Sequence, residues 1–348
     1  MNGPMTRRSL ILGALISPGV VATSAAAAGR RFRDDAGRTV QLPVTIRGVF
    51  AAGAPAELLL YTLVPEKLVG RNHTPADDAL EFMPPQFRQP RVIERLPDAN
   101  SPEHDSELLA LHPDVYIDYG DLQRDYVNSV AAIQARTGIP GIILDGRLSK
   151  AGSAYRRLGS ALGVEDRGDR LAAEVDRILG RYRNRLRRGG RTLRVYIASS
   201  PDGTIPSLSG TLSGEIGDLL GAINVAGTPR TALTRPVTPA DLAQWKPDVI
   251  MLGSASAARS LAARPELQTV PAIAEKRVRV PPSLPFNWGV RPPSINRLLG
   301  LMWLTHVAGS SDRAELESDV LSFYSAFFQV ELSAPQLSRL LGPEGGLG

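Results

Sequence analysis

The sequence predicts an α/β fold of two Rossmann-like lobes, each a mostly parallel sheet with flanking helices, joined by one long backbone helix. Three observations predict it. Residues 106–117 and 240–251 read almost alike: a short amphipathic helix, a Pro-Asp turn, then a buried apolar strand. Strand and helix patterns alternate on either side of residues 151–188, which argues for parallel sheets. The stretch 151–188 itself holds no strand pattern and separates the two copies. Two similar lobes imply a cleft, the usual seat of a small ligand.

The elements follow in order. Arg7 and Arg8 precede an apolar run over 10–16 and a small-residue stretch over 22–28. That is the order of a cleavable signal of the twin-arginine type, too short and alanine-rich to span a bilayer. Residues 1–28 are therefore expected to be removed after export, lowering the formal net charge of +5 by two, since Arg7 and Arg8 are their only charges. The N-terminal lobe is expected over 31–149. It opens with a hairpin at 32–43 turning through Asp35-Ala36-Gly37. Strands are expected at 46–50, 68–70, 115–119 and 141–144, with helices entered at Pro55 and over 107–111 and 126–137. Leu171, Val175, Ile178, Leu179, Tyr182 and Leu186 recur at helical spacing between Gly168 and Gly189-Gly190. They predict a connecting helix over 168–188, roughly 30 Å long at 1.5 Å per residue. The C-terminal lobe, 190–330, has strands expected at 193–198, 249–253 and 278–280 and helices over 213–220, 238–244, 293–307 and 315–328. The tail, 331–348, is expected to fray.

Composition removes several functions. There is no cysteine, so disulfides, thiolate metal sites and cysteine nucleophiles are excluded. The four histidines, 73, 104, 112 and 306, lie apart and show no metal-ligand spacing, so no protein-held metal site or cofactor is expected. The arginine cluster over 181–191 reads as the solvated face of a helix. No aromatic platform accompanies it, so nucleic acid is not an expected partner. No G-x-S-x-G elbow, phosphate loop or dinucleotide fingerprint occurs. The chain is therefore not expected to be an enzyme, and the serine-rich loops over 207–214 leave a serine hydrolase as a remote alternative.

Ligands in such sheets bind beyond the carboxyl ends of the strands. That rule selects Ala52 and Gly53, which offer N–H groups at a helix start. It selects Arg71 and His73 after the second strand, and Tyr119 and Asp121 after the third. In the second lobe it selects Ser200 and Asp202, the stretch 209–213, and Ser254. Asn287, Trp288 and Arg291 complete the set: an exposed tryptophan gives a stacking face and an arginine a fork for oxygen ligands. The alternative for Trp288 is a place in the core, and for His73 and Tyr119 a structural one.

Three pieces carry a family resemblance. They are Phe32-x-Asp34-x-x-Gly37-Arg38-x-Val40-x-Leu42-Pro43, the segment 107–115 (ELLALHPDV) and the segment 292–304 (PPSINRLLGLMWL). In this order and spacing they resemble the substrate-binding proteins of ABC importers for iron–siderophore, haem and cobalamin. The resemblance implies two lobes joined by a backbone helix, closing over a metal chelate, with a ferric siderophore foremost. Haem, cobalamin or an oxyanion such as molybdate are the alternatives, and a non-transport ligand sensor is the alternative of another class. It implies a periplasmic or extracytoplasmic monomer that delivers its ligand to an inner-membrane ABC permease dimer with its ATPase. Permease docking would fall to Glu107 and Asp241, which share a register seven residues before Asp114 and Asp248. The acids of the cobalamin binder align one position earlier, on Ser106 and Ala240. The other reading of Glu107 and Asp241 is a helix-terminal acid suited to the macrodipole.

Overall fold

A hairpin of β1 (Arg30–Arg33) and β2 (Thr39–Leu42) opens the described part of the chain. Its turn is held by Asp34, which accepts from the backbone N–H and Nε of Arg38, and the Arg38 fork reaches on to the carbonyl of Gly141. The computed structural model describes residues 29–70, 75–84, 102–190 and 192–342. The expected signal segment, residues 1–28, and the candidates Arg71 and His73 lie outside the described residues. After the hairpin come β3 (Val49–Ala51), α1 (Ala54–Leu63), α2 (Asp77–Leu80), α3 (Pro102–Ala110), β4 (Val115–Gly120), α4 (Arg124–Thr137) and β5 (Gly141–Asp145). These strands form a parallel sheet in the order β3-β4-β5. Two helices follow, α5 (Leu148–Leu162) and α6 (Glu165–Tyr182). The second lobe holds β6 (Arg194–Ile197), α7 (Glu215–Leu219), β7 (Ile223–Asn224), α8 (Pro239–Trp245), β8 (Val249–Met251), α9 (Ala255–Ala262), α10 (Pro271–Ala274) and β9 (Val278–Arg279). Its sheet is parallel, in the order β7-β6-β8-β9. The chain closes with α11 (Arg297–Val307), α12 (Arg313–Phe323) and α13 (Ala334–Leu341). The α/β reading and its parallel sheets are borne out.

The repeated Pro-Asp segment has one structural job, done twice. His112 and Lys246 take positive φ (49° and 46°), ending α3 and α8, and the proline that follows each forbids further helix. The aspartate then sets strand register. Asp114 Oδ2 accepts from the N–H groups of Arg47 and Gly48 (2.6 and 2.9 Å), and its own N–H donates to the Gly48 carbonyl at 2.8 Å. Asp248 Oδ2 accepts from Arg194 N–H at 2.8 Å, and the Asp248 N–H donates back to the Arg194 carbonyl at 2.7 Å.

The period of two along each strand divides the core. Val115, Ile117 and Tyr119 of β4, and Val195 and Ile197 of β6, face one continuous apolar core that α1, α5, α6, α11 and α12 fill between the lobes. The outer faces have their own clusters: Phe50, Tyr116 and Ile143 in the first lobe, and Tyr196, Ile250 and Leu252 in the second. The lobes thus share a core rather than meeting across a thin hinge.

Four expectations are corrected. The connector is a packed helix pair, α5 and α6, and its second helix spans Glu165–Tyr182 rather than 168–188. Gly168, read as the boundary at which the helix begins, lies inside α6 where it crosses Gly159: a Cβ on Gly168 would sit 2.9 Å from the Gly159 Cα. The glycine permits close packing and bounds nothing. The tail is not frayed up to Leu341, because Ser333 and Gln336 form a capping box at the start of α13. The apolar helix expected over 293–307 spans Arg297–Val307.

Candidate functional site

At the carboxyl ends of β4 and β5 a cleft of about 450 Å³ opens between the lobes. Its first wall is Gly120, which ends β4, with Asp121, Leu122 and Gln123 beyond it, and Asp145, which ends β5, with Arg147 beyond it. Its second wall comes from Gly210, Thr211 and Leu212, from Glu215 and Asp218 of α7, and from Pro229. The two loops of the first wall are locked together: Gly146 N–H donates to the Gly120 carbonyl at 2.8 Å, and the Gly120 backbone comes close enough that Gly146 has no room for a side chain.

The floor is a buried ionic tie between the lobes. Arg297, wholly buried at the head of α11, donates to the carbonyls of Gly146 (2.6 Å), Ser294 (3.1 Å) and Leu212, and to Glu215 Oε2 at 3.2 Å. Glu215 accepts in turn from the N–H groups of Leu148 (2.7 Å) and Ser149 (3.2 Å), the open N-terminus of α5. The carboxylate therefore meets a guanidinium and a positive helix end at once. Ser294 adds a second tie, donating to the Pro55 carbonyl at 2.7 Å.

The walls are polar and acidic. Arg147 engages Asp145 through Nε and Nη2, and although burial opposes ionisation, these bonds hold Asp145 below the ordinary carboxylate range. Asp218 accepts from the Ser209 hydroxyl and from Gly210 N–H at 2.8 Å, which fixes the 209–212 loop. Asp121 accepts from the Gln123 side-chain amide at 2.9 Å and is otherwise exposed.

Of the residues selected from sequence, Asp121 and the 209–213 stretch contribute to the cleft. Tyr119 sits just behind its floor, fully buried with its hydroxyl unpaired, because the strand period turns it to the core. Ala52 and Gly53 begin α1 beside the Ser294 tie and are not among the lining residues. Ser200 and Asp202 are spent on a turn, with Ser200 and Thr204 donating to Asp202. Ser254 caps α9 and donates to the Pro201 carbonyl. Asn287 braces its own loop by accepting from Gly289 N–H. Trp288 is buried, not exposed: it packs against Tyr324, and its carbonyl lies where a Gly300 side chain would be. Arg291 is exposed but pins its loop to the end of β6 by donating to the Ser199 carbonyl at 3.0 Å. Glu107 is exposed on α3. Asp241 is nearly buried, being the third residue of the α8 capping box with Thr238 and bidentate to Arg235, whose bonds hold its carboxyl far below the usual range. Asp145, Arg147, Glu215, Asp218 and Arg297 were missed. The first two follow a strand that was read correctly, and Arg297 is a lone charge at the head of an apolar helix, which is a usable signal.

One buried acid stands behind the first wall. Asp118 is turned away from the shared core, accepting from the Tyr126 hydroxyl (3.0 Å) and Tyr119 N–H (2.8 Å). Burial outweighs both bonds and pushes its carboxyl up to about 6. A carboxyl raised on folding binds its proton more tightly in the native state, so stability falls as pH rises from 3.8 to about 6. Asp118→Asn keeps an acceptor for both donors. It is expected to be more stable than the parent at pH 7 by up to roughly 3 kcal/mol, with a flatter stability profile over that window. Urea unfolding across the pH series checks this, and an unchanged slope would remove the assignment.

A family model described as periplasmic binding protein matches residues 49–284. No curated protein sequence matches the chain. Several solved structures share the fold. An ABC transporter solute binding protein from Sulfurospirillum deleyianum is 22% identical with a TM-score of 0.78, over 90% of this chain and 99% of that one. The molybdate periplasmic binding protein MolA from Haemophilus influenzae is 17% identical with a TM-score of 0.65, over 87% and 99%. CeuE from Helicobacter pylori, in a nickel–histidine complex, is 15% identical with a TM-score of 0.61, over 90% and 100%.

Proposed function

We propose that this chain, which belongs to the periplasmic binding protein family, captures a metal chelate in the cleft between its lobes and hands it to a membrane permease. Family membership makes it a substrate-binding protein of the ABC transporter type. The observation that carries the ligand reading is the cleft itself: it is polar, it draws on both lobes, and it lies beyond the carboxyl ends of parallel strands. Among the described residues its lining holds no histidine, and two of its four carboxylates are already paired with arginines. Such walls suit a metal already wrapped in its own ligands, which asks the protein only for polar contacts. A ferric siderophore remains the foremost candidate. Its native form would be identified by mass spectrometry of protein purified intact from its host, which should carry a chelate mass. In a thermal-shift panel the matching chelate is expected to add about 2.7 kcal/mol at a hundredfold excess over Kd. Stabilisation by a bare metal ion, with none by any chelate, would overturn this reading.

Export by residues 1–28, an extracytoplasmic location and a monomeric state belong to the same proposal. For docking, the exposed Glu107 is the acid that meets the permease. Asp241 is a weaker candidate, since engaging a partner would require Arg235 to let go. Glu107→Lys is expected to leave chelate affinity unchanged while weakening productive docking about tenfold, through a like charge at the rim. Stimulation of the transporter ATPase in vesicles measures it, and full stimulation by the variant would rule Glu107 out.

A further inference from the structure

We infer that the cleft selects ligands of net positive charge over anionic ones. This rests on the reading of the cleft as the ligand site. Four carboxylates line it, Asp121 and Asp145 from one lobe and Glu215 and Asp218 from the other, against a single cation among the described lining residues, Arg147. The pairings within the cleft decide which charges remain. Arg147 is matched by Asp145, and Glu215 by the buried Arg297 and the α5 N-terminus. Asp121 and Asp218 are left, both exposed, one on each lobe. Their partners are an amide, a hydroxyl and a backbone N–H, dipoles that hold a carboxylate in place without cancelling its charge. A cleft with low-dielectric walls focuses such a field on whatever enters. An oxyanion such as molybdate, or a tricatecholate with its surplus negative charge, would meet two uncompensated carboxylates. A chelate with a free ammonium group would meet one on each side.

The test uses the exported chain and three probes: a ferric trihydroxamate bearing an ammonium group, a ferric tricatecholate, and molybdate. Titration calorimetry is expected to show the cationic chelate binding at least about tenfold tighter than either anion, the difference of one matched charge pair. That margin should shrink as salt is raised. Asp121→Asn keeps the acceptor oxygen for Gln123, and Asp218→Asn keeps one for Gly210 N–H while its amide N–H donates to a turned Ser209 hydroxyl, so the loop stays braced. Each is expected to cost the cationic probe about tenfold and to leave or improve the anionic ones. Thr211→Trp, which fills the cleft, should abolish binding of every probe. Equal or tighter binding of an anion, or indifference of the cationic probe to both neutralising variants, overturns the charge inference while leaving the cleft in place as long as Thr211→Trp still blocks. Failure of the cationic chelate to bind at all overturns it too. Undiminished binding to Thr211→Trp would instead remove the cleft as the site.

Discussion

Arg297→Met is expected to destabilise the protein by about 3–5 kcal/mol, the cost of leaving a buried charge without its partner. The wild-type side chain has no exposure and satisfies four acceptors at once. Methionine fills similar volume, so little of the loss comes from a cavity. What remains is the Glu215 carboxylate, facing only the two N–H groups of α5, and the carbonyls of Gly146 and Leu212 stripped of their donor. Because Gly146 belongs to one lobe and Leu212 to the other, the same change loosens the cleft floor, and chelate affinity should fall with stability. Arg297→Lys keeps a charge but not the fork, and should lie between the two. The double variant Arg297→Met with Glu215→Gln is expected to be far less than additive, since the second change removes the charge that the first left stranded. Urea unfolding of the four proteins measures the coupling. Additive losses would mean that the two side chains are independent and that no ionic tie joins the lobes.

The sequence carried the fold further than it carried the site, and particular residues show why. The Pro-Asp repeat was legible because its physics is local: a proline two residues past a helix end and an aspartate beside a strand start determine their neighbours whatever else the chain does. The strand–helix alternation was legible for the same reason. Gly168 was misread because a glycine that bounds a helix and one that lets two helices touch look identical until the partner, Gly159, is known. The site depends on such partners throughout. Ser200, Asp202 and Ser254 were selected for their position beyond strand ends, yet serine and aspartate there serve turns and caps as readily as ligands. Trp288 could be assigned to a surface or a core only once the 286–291 loop was seen to fold inward over Gly300. Glu107 and Asp241 share a register in sequence, but Arg235, six residues before Asp241, has no counterpart at Glu107, and it is that neighbour which separates an available acid from a committed one.

Gly146→Ala is expected to cost roughly 3 kcal/mol, the upper part of the usual range for overpacking, and to lower chelate affinity by more than tenfold. A methyl at this position would lie 2.8 Å from the Gly120 Cα and 3.1 Å from its nitrogen and oxygen, all backbone atoms that no rotamer change can move aside. The ends of β4 and β5 must part to admit it. That parting stretches the Gly146–Gly120 hydrogen bond, displaces the carbonyl that Arg297 holds, and shifts Asp121 and Arg147, which flank the two glycines in the cleft wall. The contrast is Gly180, exposed near the end of α6, where an added Cβ meets nothing within 4 Å. There the same substitution should stabilise by about 0.5–1 kcal/mol, the helix-interior difference between glycine and alanine. Denaturant unfolding and chelate titration of both variants separate a local wall effect from a general intolerance of alanine. If Gly146→Ala binds chelate as tightly as the parent, the two loops move independently of the ligand site and the cleft wall has been drawn in the wrong place. If it loses affinity while Gly180→Ala keeps it, backbone contact between two glycines is what sets the shape that the ligand meets.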